Sequence, residues 1–147
     1  MPYFRNNKLN ILYLHIPKTG GSTIEKYLSK LFRTNINIFN LYSGNVNKFR
    51  KYFYGSPQHQ RLCTLLKYRK QFNIKLKKLF IFASVRNPYN RTISDLFFLK
   101  LINKNSSKEF VYNKLKIYVH AKNKFDNHNL PQYLYFTNNK GKFNKNI

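Results

Sequence analysis

Residues 10–25 read NILYLHIPKTGGSTIE, and the order of residue types in this stretch decides the fold. Asn10–Ile16 is a short, mostly apolar run that ends at Pro17, the pattern of a buried strand. Lys18–Gly21 follows as a turn. Ser22-Thr23-Ile24-Glu25 then has the spacing of a capping box, and Ile24, Leu28, Leu31 and Phe32 recur at helical intervals. The stretch therefore predicts strand, glycine-containing loop, helix.

The same punctuation returns downstream. Leu79–Val85 (LFIFASV) predicts a second buried strand. Asn87-Pro88 is a cap and first-turn pair, and Ile93, Leu96, Phe97 and Leu101 give the next helix its apolar stripe. Between the two strands, Gln60–Phe72 predicts a helix carrying Leu62, Leu65 and Leu66, and Thr34–Pro57 predicts a loop. Ser106-Ser107-Lys108-Glu109 is a second capping box, opening a helix with Phe110, Val111, Leu115 and Tyr118. The Lys/Asn-rich end, Asn138–Ile147, predicts a frayed tail. Strands alternating with helices imply an α/β fold on a parallel sheet, with ligands at the C-terminal ends of its strands.

The length of 147 residues suits one domain, residues 1–147, able to bury about 70% of the surface its unfolded chain exposes. Lys and Arg number 28 against 4 Asp and Glu, a formal charge of +24. AT-rich coding inflates Lys (21) and Asn (21), but it does not deplete acids to four. The acid depletion points to a polyanionic partner: nucleic acid, acidic glycan or a phosphorylated cofactor. With 42% apolar residues, including 12 Tyr and 14 Phe, the chain is no disordered tail. Cys63 is the only cysteine, which excludes an internal disulfide and a cysteine-based zinc cluster, and its place on an apolar helix face reads as core packing. Four scattered His and four scattered acids imply no metal. No apolar run approaches the roughly 20 residues of a membrane span, and no signal peptide is read, so the default expectation is a soluble, cytoplasmic protein.

The loop itself, Lys18-Thr19-Gly20-Gly21-Ser22-Thr23, sets a lysine, two glycines and three hydroxyls between a buried strand and a helix N-terminus. Glycines admit an anion close to backbone N–H groups, and the helix dipole favours negative charge there. Lys18 adds a mobile full charge, and Thr19, Ser22 and Thr23 add hydroxyl donors. In a nucleotide-triphosphate loop the lysine follows the glycines; here it precedes them, so an ATPase or GTPase reading fails on spacing.

HIPKTGGST resembles the 5′-phosphosulfate loop of sulfotransferases that use 3′-phosphoadenosine 5′-phosphosulfate (PAPS), in the carbohydrate branch related to heparan and chondroitin sulfotransferases. Phe82-Ala-Ser-Val-Arg86-Asn-Pro-Tyr-Asn-Arg91-Thr-Ile-Ser94 resembles that family's 3′-phosphate motif, which implies Arg86 and Ser94 as the 3′-phosphate ligands. A guanidinium can hold a phosphate bidentately with a hydroxyl alongside. His128-Asn-Leu-Pro131-Gln132 is similar to the family's H-x-x-P-Q segment near the acceptor, which marks His128 and Gln132 as acceptor-side residues. The resemblance implies a P-loop-like, three-layer fold with a small central parallel sheet flanked by helices.

Sulfuryl transfer needs a base for the acceptor hydroxyl and cations for the transferring and departing groups. The resemblance gives Lys18 the second role and, as the one histidine between the two cofactor motifs, gives His59 the first. His15 is expected to orient the loop, and His120 has no motif around it. The expected function is sulfuryl transfer from PAPS to a hydroxyl, on a carbohydrate. The alternatives are a non-catalytic nucleotide- or polyanion-binding remnant of that fold and a basic nucleic-acid-binding protein. The sequence stops at Ile147, soon after the H-x-x-P-Q segment, where family members continue with further helices, so nucleotide binding is expected to outlast transfer. Lys67–Lys78 (KYRKQFNIKLKK) is either a solvated basic face or a contact for an acidic acceptor.

Overall fold

The computed structural model describes residues 3–6, 8–33, 55–121, 125–138 and 141–143. Three strands form one sheet in the order β1-β2-β3: β1 Tyr3–Arg5, β2 Asn10–Tyr13 and β3 Leu79–Phe82. β2 and β3 run parallel, with Asn10 opposite Leu79 and Tyr13 opposite Phe82, as the alternation of strand and helix predicts. β1 is an addition that the sequence pattern did not announce. It pairs antiparallel with β2, Tyr3 opposite Leu12, and makes the sheet mixed.

Alternation along β2 builds two cores. Leu12 and Leu14 face one side, where they meet Leu62, Leu65, Phe72 and Ile74. Ile11 and Tyr13 face the other and pack with Phe4 and Leu28. Every residue of β2 is buried, as a central strand covered on both faces must be. The covers are helix α1 (Gly21–Leu31) on one side and the short helix α2 (Leu62–Lys67) on the other, which gives three layers. A third cluster, Leu96, Ile102 and Tyr118, joins α3 (Pro88–Phe98) to α4 (Lys108–His120).

Several boundaries differ from the sequence expectation for physical reasons. α1 starts at Gly21 with Gly20 as its cap residue, and no side chain caps it. Glu25, expected to close a capping box, is buried and bonded to His15 instead, because a histidine ring under a helix must have a partner. The helix predicted over Gln60–Phe72 is α-helical only over Leu62–Lys67. Turns follow, ending at Asn73 with φ 53° and an Ile74 N–H to Arg69 carbonyl bond of 2.8 Å, which drops Phe72 and Ile74 into the core. β3 ends at Phe82 rather than Val85, releasing Ser84 to the rim. Asn87 caps α3 as expected, accepting from the N–H groups of Tyr89 and Asn90 at 3.0 and 3.2 Å. The cap of α4 is Ser107, one residue later than the box spacing places it. Of the expected tail, Phe143 forms an antiparallel bridge with Thr137, just before it, around Gly141, φ 72°. Residues 34–54 of the expected loop lie outside the described residues. No helix among the described residues is long and apolar enough to cross a membrane.

Candidate active site

The chain leaves β2 at the C-terminal rim of the sheet, and the loop after it lines a cavity of about 280 Å³. Lys18, Gly20, Gly21, Ser22 and Thr23 form one wall; His15, His59, His128, Gln58 and Phe98 form the other. Lys18 (φ 63°) and Gly20 (φ 87°) both take left-handed backbone conformations, which curls the loop ahead of α1. Such alternation turns successive N–H groups to one side, as in anion-binding nests. Among the described residues no protein acceptor takes the N–H of Gly20, Gly21 or Ser22; the Thr23 and Ile24 N–H groups are used by the Gly20 carbonyl. Those donors and the 11-residue α1 behind them fit a bound phosphate or sulfate group. The two glycines serve different ends. Gly20 needs its positive φ, whereas a Cβ on Gly21 would stand 2.4 Å from the His15 ring.

The Lys18 ammonium sits 4.2 Å from the centre of the Phe98 ring, a cation–π contact that holds it over the cavity. Thr19 turns away: its hydroxyl donates to the Ile16 carbonyl at 2.7 Å and meets Ser84 Oγ at 3.0 Å. Ser84 also meets the Tyr13 hydroxyl at 2.6 Å, so this rim is tied to both parallel strands. Thr19 thus anchors the loop instead of facing a ligand.

The opposite wall uses three of the four acids in the chain, and each is paired with a histidine. His15 Nδ1 meets Glu25, His59 Nδ1 meets Asp126 at 2.9 Å, and His128 Nδ1 meets Asp95 at 2.7 Å. The rings form a row, His15 to His59 at 5.3 Å and His59 to His128 at 4.7 Å, both edge-on; Phe98 stacks on His128 at 5.7 Å. With its Nδ1 nitrogen engaged by a carboxylate, each ring has Nε2 left without a hydrogen-bond partner among the described residues. Gln58 donates to both Glu25 oxygens at 3.2 and 3.3 Å, and Tyr118 donates its hydroxyl to Asp95. Burial lowers the His59 pKa below 6.5, against the raising effect of Asp126, so the imidazole is neutral at pH 7. Burial alone would raise the Asp126 carboxyl, but bonds from His59 and Ser56 outweigh it and hold its pKa below the usual value.

The Asp126 placement is built locally. Phe125, Asp126 and Asn127 have φ of 59°, 52° and 65°, three consecutive non-glycine residues in the left-handed region. Asn127 Nδ2 donates to the His59 carbonyl at 2.9 Å, and the Tyr135 hydroxyl donates to the Asn127 carbonyl at 2.9 Å. The cost of such backbone, of order 1–3 kcal/mol per residue, is tolerated where contacts over-determine it. Gly55 makes the space, since a Cβ there would stand 2.1 Å from Asp126 Oδ1.

Arg91 is the residue the sequence left without a role. It is buried, and its guanidinium donates to the carbonyls of Pro17 (2.9 Å), Leu130 (2.9 Å) and His128. It thereby joins the loop after β2 to the His128–Gln132 segment. Gln132, expected near the acceptor, grips Arg86: its Oε1 accepts from the Arg86 N–H at 2.9 Å and its Nε2 donates to the Arg86 carbonyl at 2.7 Å. Arg86 is exposed, and its guanidinium reaches the Lys18 carbonyl at 3.4 Å. Ser94 is half-buried on α3. Neither Arg86 nor Ser94 lines the cavity; Lys18, Gly20, Gly21, Ser22, Thr23, His59 and His128 do.

No curated protein and no solved structure gave a significant match to the sequence. The model of the sulfotransferase family matches residues 1–144, nearly the whole sequence. With a loop of open N–H donors and a lysine at the end of the first parallel strand, facing a histidine held by a carboxylate, the chain belongs to the sulfotransferase family.

Proposed function

We propose that this chain transfers the sulfuryl group of PAPS to a hydroxyl of a carbohydrate acceptor, with His59 as the base and Lys18 as the cationic stabiliser. The observation that carries the reading is the cavity shared by the anion loop and His59, whose Nδ1 is engaged by Asp126. PAPS, the second substrate, supplies the sulfuryl group and takes the departing electron pair onto its 5′-phosphate.

The chain's own residues do the rest. The N–H groups of Gly20, Gly21 and Ser22, with the Ser22 and Thr23 hydroxyls, would hold the 5′-phosphosulfate. Lys18 would offset the charge developing there. Arg86 and Ser94 would take the 3′-phosphate, with Gln132 fixing the Arg86 backbone. His59 Nε2 would accept the acceptor's proton as the oxygen–sulfur bond forms, and Asp126 would stabilise the resulting imidazolium. Neutral His59 at pH 7 suits a base, because a histidine already protonated could not act as one.

The test is incubation with ³⁵S-labelled PAPS and a panel of desulfated glycans. Saturable label transfer by the wild type, lost about 100-fold or more in Lys18→Ala, is the expected result. Transfer by Lys18→Ala at the wild-type rate would overturn the role given to the loop. Absence of label on every glycan, with label on a phenol or small alcohol, would overturn the acceptor class.

A further inference from the structure

A second concavity, of about 520 Å³, lies at the other end of the parallel pair, where β2 begins and the chain enters β3. Lys and Arg make up 28 of 147 residues in the chain but five of the eight described residues that line this groove: Arg5, Lys8, Lys75, Lys77 and Lys78. No carboxylate pairs with any of the five among the described residues; three of the chain's four acids are committed to histidines at the opposite rim. Coding drift raises lysine everywhere, but it does not gather unpaired cations around one hollow.

Hydrogen bonds pin the main chain around the groove, so the charges cannot relax apart by moving whole segments. Asn10 donates from its N–H to the Lys78 carbonyl at 3.1 Å and from Nδ2 to the Lys77 carbonyl at 2.7 Å. Asn6 Oδ1 accepts the N–H groups of Lys8 and Leu9 at 2.9 and 2.8 Å, fixing the turn between β1 and β2. The Tyr3 hydroxyl accepts the Lys75 N–H at 3.1 Å. Five like charges carried on main chain pinned around one hollow repel one another, and a polyanion removes that cost while releasing counterions.

We infer that this groove is a second binding site, separate from the transfer cavity, for a chain of anionic polysaccharide. A single phosphate or sulfate cannot meet cations spread around about 520 Å³; several charges spaced along one chain can. Among the described residues, Leu9 is the one apolar side chain in the lining, and no aromatic ring lines it on which a base could stack. That favours a sugar polymer over single-stranded nucleic acid, whose binding grooves combine cations with stacking rings. The choice of a glycan rests on the transfer reading, in which such a chain is also the acceptor. The groove would hold it about 13 Å or more of strand away from the reacting hydroxyl.

The test measures fluorescein-labelled heparin binding by anisotropy between 50 and 300 mM salt, ~10³-fold protein range. The site variant is Lys75→Gln/Lys77→Gln/Lys78→Gln, and Arg5→Gln/Lys8→Gln is a second route should the first lose its fold. The control, Lys104→Gln/Lys108→Gln/Lys116→Gln, removes equal charge from the α4 region. The expected result is a loss of about 10-fold or more in affinity and a slope of log K on log salt shallower by about 2–3 in the triple site variant, with a change under about 3-fold in the control. The double variant should lose affinity in the same sense. Equal losses in site and control variants would overturn the inference, because net charge alone would then explain binding. Displacement of heparin by an oligothymidylate of equal charge at lower concentration would overturn the glycan assignment. Affinity for adenosine 3′,5′-bisphosphate is measured on the same proteins. Its absence in the wild type would sink the PAPS reading while the heparin comparison stands, and its retention alongside unaltered heparin binding would sink the groove alone.

Discussion

Replacing Asp126 by Asn probes how the base is held, and the structure sets both the sign and the size of the effect. Asp126 Oδ1 accepts the Ser56 N–H and Oδ2 meets His59 Nδ1 at 2.9 Å. In Asp126→Asn, the amide oxygen must keep the Ser56 N–H, so the NH₂ group faces Nδ1 and donates to it. That places the ring proton on Nε2, the nitrogen that should receive a proton, and withdraws the negative charge that stabilises the imidazolium. A hydrogen bond to a charged group is worth about 1.5–3 kcal/mol. Because the Asp126 side chain is 34% exposed, solvent screens part of this, and we take about 1.5–2 kcal/mol, or roughly 10–30-fold in turnover. The acid limb of the pH–rate profile should move to lower pH, since Asp126 is what raises the His59 pKa against burial. The assay is ³⁵S transfer from PAPS between pH 5 and 8, with adenosine 3′,5′-bisphosphate affinity as the control for folding. A variant with wild-type turnover and an unmoved acid limb would refute the assignment of Asp126 and, with it, His59 as the base.

Arg91→Ala should destabilise the fold by about 3–5 kcal/mol, because three backbone carbonyls, two of them in buried contacts and one part-buried, lose their donor at once; a urea midpoint within error of wild type would contradict this. Gly21→Ala should lower the melting temperature more than Gly20→Ala, since the first drives a methyl into the buried His15 ring and the second adds only the strain of a left-handed alanine; calorimetric melting in the reverse order would contradict it. His59 has a folded pKa below its ordinary 6.5, so its contribution to stability is full above pH 6.5 and is lost as pH falls through the folded value. Wild type should therefore lose more of its urea midpoint between pH 7.5 and 5.5 than His59→Gln does, and parallel losses would count against a buried neutral histidine.

What the sequence made legible is what local spacing encodes. HIPKTGGST fixed the strand, loop and helix because each residue's role there depends on its immediate neighbours, and Asn87-Pro88 marked the start of α3 for the same reason. Lys18, His59 and His128 were readable as candidates, and they share one cavity. The carboxylate partners were not readable. Asp126 lies 67 residues from His59 and Asp95 lies 33 from His128, and no periodicity connects them. A compositional signal was present all the same: in a chain with only four acids, buried ones are there for a partner. Arg91 was quoted within a motif but not understood, because its three acceptors are backbone carbonyls that no side-chain pattern reveals. β1 went unread because Tyr3–Arg5 is three residues long, too short for alternation to register.

The donor assignment is the central claim, and isothermal titration of adenosine 3′,5′-bisphosphate against AMP tests it most directly. The two ligands differ by one 3′-phosphate, the group assigned to Arg86 and Ser94. One charge-assisted bidentate contact is worth about 1.5–3 kcal/mol, so the bisphosphate should bind at least about 10-fold tighter, and Arg86→Ala should erase the difference. Equal affinities of the wild type for the two nucleotides, or a preference that survives Arg86→Ala, would contradict it.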